Sequence, residues 1–166
     1  MKTGETSSAA FYHSPAGIII VKEKDGFVTE TGFIDEEVSL QTGTPSAVLH
    51  NALHQLHEYF QGSRKIFDLP LKPAGTVFQQ TVWNKLLEIP FGETVTYMHM
   101  AIRLGDKKVI RAAASANGKN PIGIIIPCHR VIGEDGKLTG YAGGLHRKQW
   151  LLEHEARFGG KKPLLF

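Results

Sequence analysis

In the stretch AGIIIVKEKDGFVTETGFID, two apolar-rich runs flank an Asp-Gly pair. This pattern predicts strands near 17–23 and 26–33, joined by a tight hairpin turn at Asp25-Gly26. From Pro45 to Phe60 the period changes. Val48, Leu49, Ala52, Leu53, Leu56, Tyr59 and Phe60 share one face of an amphipathic helix, which Gly62 stops. DLPLKPAG follows, two prolines and a glycine in eight residues, and marks a linker near 70–75. The expected division is therefore a domain over 1–72 and a second over 73–166.

The second half reads as mostly helical. Thr76 and Gln79 fit a capping box that opens a helix running to about Glu88, with Pro90-Phe91-Gly92 beyond it. A short helix is predicted over 96–104 and closed by Gly105. Asp106 then caps a third, KKVIRAAASAN, which Gly118 closes. Two helices across a Gly-Asp turn make a helix-turn-helix pattern. The second carries Lys107, Lys108 and Arg111, cations suited to phosphates. Its alanines suit close approach to another surface, or packing on the protein's own core. Ile122 to Ile126 is too short for a helix and predicts a buried strand that Pro127 ends. A Gly-rich loop at 140–144 and a last helix over 147–157 complete the chain. The fold class is α+β: a small antiparallel sheet with one long helix, followed by a mainly helical domain.

Charge changes the picture more than composition does. The 166 residues are 42% hydrophobic and 21% charged, ordinary for a globular protein. Residues 1–71 carry 5 Lys/Arg against 9 Asp/Glu, whereas 72–166 carry 14 against 7. A cationic half beside an anionic one points to a polyanion that meets the second half alone, or to a solvated charged face. No run approaches the roughly 20 apolar residues that span a bilayer, and the first residues, MKTGETSSAAFYH, hold no secretory signal. A single cysteine excludes a disulfide framework and suits a reducing cytoplasm.

That cysteine, Cys128, lies in IIIPCHRV, directly before His129 and Arg130. A free cysteine is most often a small buried hydrophobe. A nucleophilic one needs a base, a cation or a helix terminus nearby. In an extended segment Cys128 and His129 would face opposite ways, so contact between them would need a bridging water. Glu153 and Glu155 on the last helix are the acids available to orient His129.

The PCHRV block, preceded by Asn120-Pro121 and followed by GYAGG at 140–144 and WLLEHE at 150–155, resembles the O6-alkylguanine-DNA alkyltransferases. FQQTVW, IPFGETVTY and VIRAAASANGKNP extend the resemblance over about 75–158; the first 70 residues match only in general character. The resemblance implies a ribonuclease H-like first domain without its active site, and a second domain that binds duplex DNA in the minor groove through its helix-turn-helix. That domain would flip the damaged base out of the stack. Cys128 would take the alkyl group from O6-alkylguanine, and secondarily from O4-alkylthymine, once per molecule. A water would link Cys128 to His129, and Glu155 would hold His129, lowering the thiol's pKa. Glu153 is assigned to solvent.

By the same resemblance Arg111 fills the gap left by the flipped nucleotide, and Tyr97 crowds its phosphate. Asn120 braces the turn beside the cysteine. Tyr141 walls the guanine pocket, and Val131 offers backbone contact to the base edge. Ala142 stands where some relatives have a serine, which leaves a backbone N–H to serve O6 and suggests a roomy pocket. Arg147 and Lys148 are read either as phosphate contacts or as an exposed helix face; Arg130 is read as a brace. No cofactor is expected, and no metal. His50, His54 and His57 share a helical stripe but lack a carboxylate cluster, and no cysteine is present for an N-terminal zinc site. A monomer is expected, with cooperative binding along DNA left open. Two other classes differ on stated features: alkyltransferase-like binding proteins lack the reactive cysteine, and a Cys–His hydrolase would turn over.

Overall fold

The computed structural model describes residues 7–39 and 45–160. The leader reading, and the outer ends of both expected domains, fall partly outside these. Three strands, β1 (Ser7–Ser14), β2 (Gly17–Lys24) and β3 (Phe27–Ile34), form an antiparallel sheet in the order β1-β2-β3. Asp25 (φ 52) and Gly26 (φ 84) both take the left-handed backbone that a two-residue hairpin needs, as their pairing predicts. The strand β1 has no counterpart in the sequence reading. Its SSAAFYHS stretch lacks the β-branched run that marks β2, and it becomes a strand because β2 offers it a partner along its whole length.

Helix α1 (Ala47–Phe60) is capped by Ser46, whose hydroxyl accepts from the Leu49 N–H. Its inner face, Leu49, Ala52, Leu56 and Tyr59, is fully buried, and so are Ile19, Val21 and Val28 of the sheet; all belong to one hydrophobic cluster. That cluster continues without a break into Val82, Trp83, Leu86, Ile122, Ile126 and Leu151, so the two halves share one core. The free edge of β3 is taken up by backbone bonds from elsewhere. Val28 pairs with the linker at Pro70 and Lys72, and Thr31 pairs with Pro121 and Gly123.

Helix α2 (Val77–Leu86) has the predicted capping box complete at Thr76 and Gln79. A two-residue strand β4 (Val95–Thr96) leads into α3 (Tyr97–Arg103), and Gly105 takes a φ of 97 after it. The predicted third helix opens as a 3-10 turn over Lys107–Val109, with Asp106 accepting from the Lys108 N–H, before α4 (Ile110–Gly118) begins. Ala113 and Ala116 of α4 are buried, and Ala116 accepts from the Trp83 indole N–H at 2.9 Å. Arg111, Ala112 and Ser115 face outward. The alanines thus divide between both readings. The parallel partner of β4, β5 (Val131–Ile132), precedes the last helix, α5 (Leu145–Phe158). None of the helices is long and apolar enough to cross a membrane, among the described residues.

One element is corrected. Residues 122–126 are not a strand. They turn back within the core, with Ile124 at φ 72, the Ile125 N–H donating to Gly123 and the Ile126 N–H to Ile122. A short apolar run specifies burial, and either a strand or a coiled turn satisfies it. A β-branched residue at positive φ costs on the order of 1–3 kcal/mol, and such positions concentrate where a fold holds a functional segment in place.

Candidate active site

The turn at 122–126 delivers Cys128 into a 3-10 helix, Cys128–Arg130, so the segment is not extended. Asn120 fastens the turn. Its amide donates to Ile126 O at 2.8 Å and its carbonyl accepts the Ile122 N–H at 3.0 Å. Asn117 of α4 donates to Cys128 O at 3.3 Å. The thiol is 6% exposed and borders a cavity of about 320 Å³. One wall of that cavity is Asn117, Gly118 and Asn120; a second is Tyr141, Ala142 and Gly143; the third is Glu30 to Phe33 of β3. Gly143 is required at its place, since a Cβ there would come within 2.9 Å of Phe33 and 3.0 Å of Tyr141.

Behind the thiol lies a buried charge cluster. The Glu155 carboxylate, on α5, accepts from His129 Nε2 (2.6 Å), Tyr59 OH (2.6 Å), Arg130 Nε (2.7 Å) and Nη2 (3.1 Å), and the Gly92 N–H (3.2 Å). Arg130 also donates to Ile89 O at 2.6 Å, which makes it the expected brace. Burial alone would push the Glu155 carboxyl up; His129 and Arg130 outweigh it and hold the group well below the usual carboxylate range. Burial also lowers His129, against the pull of Glu155 and with help from Arg130 and Lys148. A neutral His129 facing a carboxylate must carry its proton on Nε2, so Nδ1 is the free lone pair. Nδ1 is buried and has no hydrogen-bond partner among the described residues. The other two such atoms are Thr31 Oγ1 and Asn117 Oδ1, on residues that line the cavity. Among the described residues, the buried unpaired side-chain polar atoms therefore gather round Cys128. Glu153 is exposed and accepts from Gln149.

Two expectations fail here. Burial raises the Cys128 thiol above its ordinary pKa, and the Asn120 amide and the Lys148 charge recover only part of that rise. The resting sulfur is thus a thiol, and its proton must leave as it reacts. Lys148 is neither a surface phosphate contact nor part of an exposed face. It is fully buried, and its ammonium donates to Val131 O at 2.7 Å and Thr139 O at 2.9 Å, 5.9 Å from the Tyr97 ring. Burial brings its pKa down to about 8, with Cys128 pulling the other way. A lysine in the first turn of a helix reads as solvent-facing unless the helix buries that turn, and nothing local signals this. Arg147 likewise points inward, donating to Ala16 and Gly143 carbonyls and meeting Asp35 at 3.4 Å.

Tyr97 OH donates to Thr139 O at 3.2 Å, so Tyr97 and Lys148 together set the loop that carries Tyr141 and Ala142. Val131 is buried, with its carbonyl directed at Lys148. Arg111 is exposed on the outer face of α4, and it borders a shallow hollow shared with Tyr97 and Thr139. That hollow meets the Cys128 cavity at Asn117, Gly118 and Gly140. The predicted residues therefore form two connected groups, one open on the helix-turn-helix face and one closed around sulfur. Tyr59 was missed: its apolar helical spacing reads as core, which its ring is.

Comparison with known proteins gives the family of the chain. Residues 77–157 match the DNA binding domain of 6-O-methylguanine DNA methyltransferase, and 9–73 match its ribonuclease-like domain. The methylated-DNA–protein-cysteine methyltransferase of Methanosarcina acetivorans is 44% identical over 152 residues, covering 88% of this chain and 96% of that one. The chain belongs to the 6-O-methylguanine DNA methyltransferase family. Its fold is that of the family: the O6-methylguanine methyltransferase of Mycobacterium tuberculosis superposes with a TM-score of 0.80 at 39% identity, over 96% of this chain and 97% of that one. A further structure, Mycobacterium tuberculosis OGT in complex with DNA, gives 0.82 at 42% identity, over 90% of this chain and 93% of that one.

Proposed function

We infer that this methyltransferase repairs O6-methylguanine in duplex DNA by moving the alkyl group, irreversibly and once per molecule, onto Cys128. The observation that carries the assignment of residues is the closed path from cavity to carboxylate: Cys128 on the cavity wall, His129 beside it with a free Nδ1, and Glu155 on the far nitrogen at 2.6 Å. The helix-turn-helix lies against the minor groove, with Arg111 in the stack in place of the flipped nucleotide. The base passes by way of Asn117 and Gly140 from the open hollow into the cavity, against Tyr141.

The Cys128 thiol gives its proton to His129 Nδ1 through one water, and Glu155 stabilises the imidazolium that results. Sulfur attacks the alkyl carbon in line as the C–O6 bond breaks. A thioether and an unmodified guanine remain, the guanine taking the proton back. Lys148 places a buried positive charge near the sulfur as it becomes anionic, and through Thr139 it holds the pocket loop. The small Ala142 and the cavity volume suit O6 groups larger than methyl, and O4-alkylthymine is a secondary substrate. The protein acts as a monomer in a reducing cytoplasm.

The test is intact mass after incubation with a duplex containing O6-methylguanine. One methyl per molecule, mapped to Cys128 and absent in Cys128→Ser, is expected. Unchanged mass with tight binding to the lesion would leave a recognition protein.

A further inference from the structure

The first domain supplies a group to the charge cluster of the second. Tyr59 lies on α1, fully buried among Phe60, Phe67, Phe91 and His154, yet its hydroxyl donates to Glu155 Oε2 at 2.6 Å. That is the same oxygen, at the same distance, that His129 Nε2 meets. Aiming the carboxylate does not require Tyr59. Arg130 binds both oxygens through Nε and Nη2, and the Gly92 N–H holds Oε1, so the plane of the group is already set. What the hydroxyl changes is the charge left on Oε2.

We propose that Tyr59 is a positioning residue of alkyl transfer, acting through Glu155 to set the basicity of His129. The inference rests on His129 being the base that receives the thiol proton. A hydrogen bond to Oε2 draws off charge that would otherwise stabilise the imidazolium, so Tyr59 holds His129 in its neutral form. Burial and Glu155 keep the phenol itself protonated, and it stays a donor at every working pH. The other groups that bear on the pair are Arg130 beside His129, Lys148 and His154 on α5, the Tyr141 phenol across the cavity, and the Cys128 thiol. All but Tyr59 belong to the second domain. The first domain is thereby part of the reaction's proton balance as well as of the core.

The experiment is the single-turnover rate of methyl transfer to Cys128 against pH, with the full chain and an O6-methylguanine duplex, for wild type and Tyr59→Phe. Loss of the hydroxyl makes His129 more basic, so the acid limb moves to higher pH by about half a unit or more. A 15N-detected titration of the His129 ring moves the same way. With 3-fluorotyrosine at position 59, a stronger donor of nearly the same shape, the limb moves to lower pH. This second variant keeps the inference testable if Tyr59→Phe does not fold. An acid limb that stays in place, even with a changed melting temperature, would reduce Tyr59 to packing and overturn the inference. Failure of the wild-type chain to take up methyl at Cys128 is a different result, and would overturn the function on which the inference stands.

Discussion

The two halves of the site treat charge in opposite ways. On the helix-turn-helix face Arg111, Lys107 and Lys108 stand in water. Around the sulfur, His129, Arg130, Lys148 and Glu155 are between 0 and 6% exposed, and each is matched by a named partner. Exposed cations are screened by salt and act additively on a polyanion. Buried ions act through geometry, and removing one leaves the other stranded. On the proposed reading, the open face tunes how tightly DNA is held, whereas the closed cluster governs both the chemistry and the stability of the fold.

Breaking the closed side gives the largest effect. Glu155→Gln strands the Arg130 charge; it is expected to cost about 3–5 kcal/mol of stability and to slow transfer at least about a hundredfold, read by denaturant melts and single-turnover rates. On the open side, Arg111→Ala is expected to lose about 1–3 kcal/mol of duplex affinity and to flatten the salt dependence, while the melt barely changes. A steep salt dependence with little sequence preference is expected of the wild type, because minor-groove contact reads bases poorly.

Lys148→Met sharpens the comparison, since the sequence admits it to either side. If it belongs to the closed cluster, transfer slows about tenfold with affinity and salt slope unchanged. A loss of affinity with rate intact would return it to the phosphates. The smallest effect is in pH. His129 folds with its pKa lowered from 6.5 and Glu155 with its own lowered from 4.5, so in both cases the unfolded chain binds protons first as pH falls. Stability is then lost below about pH 6.5, first through His129 and further below 4.5 through Glu155, and His129→Gln removes the upper part of that slope.

Much of this was legible locally. The Asp25-Gly26 turn, the Thr76–Gln79 capping box and the stop at Gly105 depend on bonds made within a few residues, and the chain states them outright. PCHRV set the one cysteine beside His129 and Arg130, and its role as the nucleophile came from the family resemblance. The misread elements share a different cause. Whether Ile122 to Ile126 forms a strand or a turn depends on the edge of β3, some 90 residues earlier in the chain, where the linker takes Val28 and this segment pairs at Thr31. Lys148 looks like any lysine on a helix until Val131 and Thr139 replace its water. The Cys128 thiol was expected to be acidified by its neighbours, and the desolvation that overrides them is a property of the whole core.

The sequence alone determined the Asp25-Gly26 hairpin, the main helices, the cationic half, the single cysteine and the family to which the chain belongs, because each is written in the residues themselves. Tertiary structure alone decided which cations meet solvent, that β3 walls the cavity, and that a tyrosine of the first domain joins the carboxylate of the second. Those outcomes rest on burial and on hydrogen bonds between distant segments. Burial prices every charge by what surrounds it in space, and spacing along the chain carries no record of that.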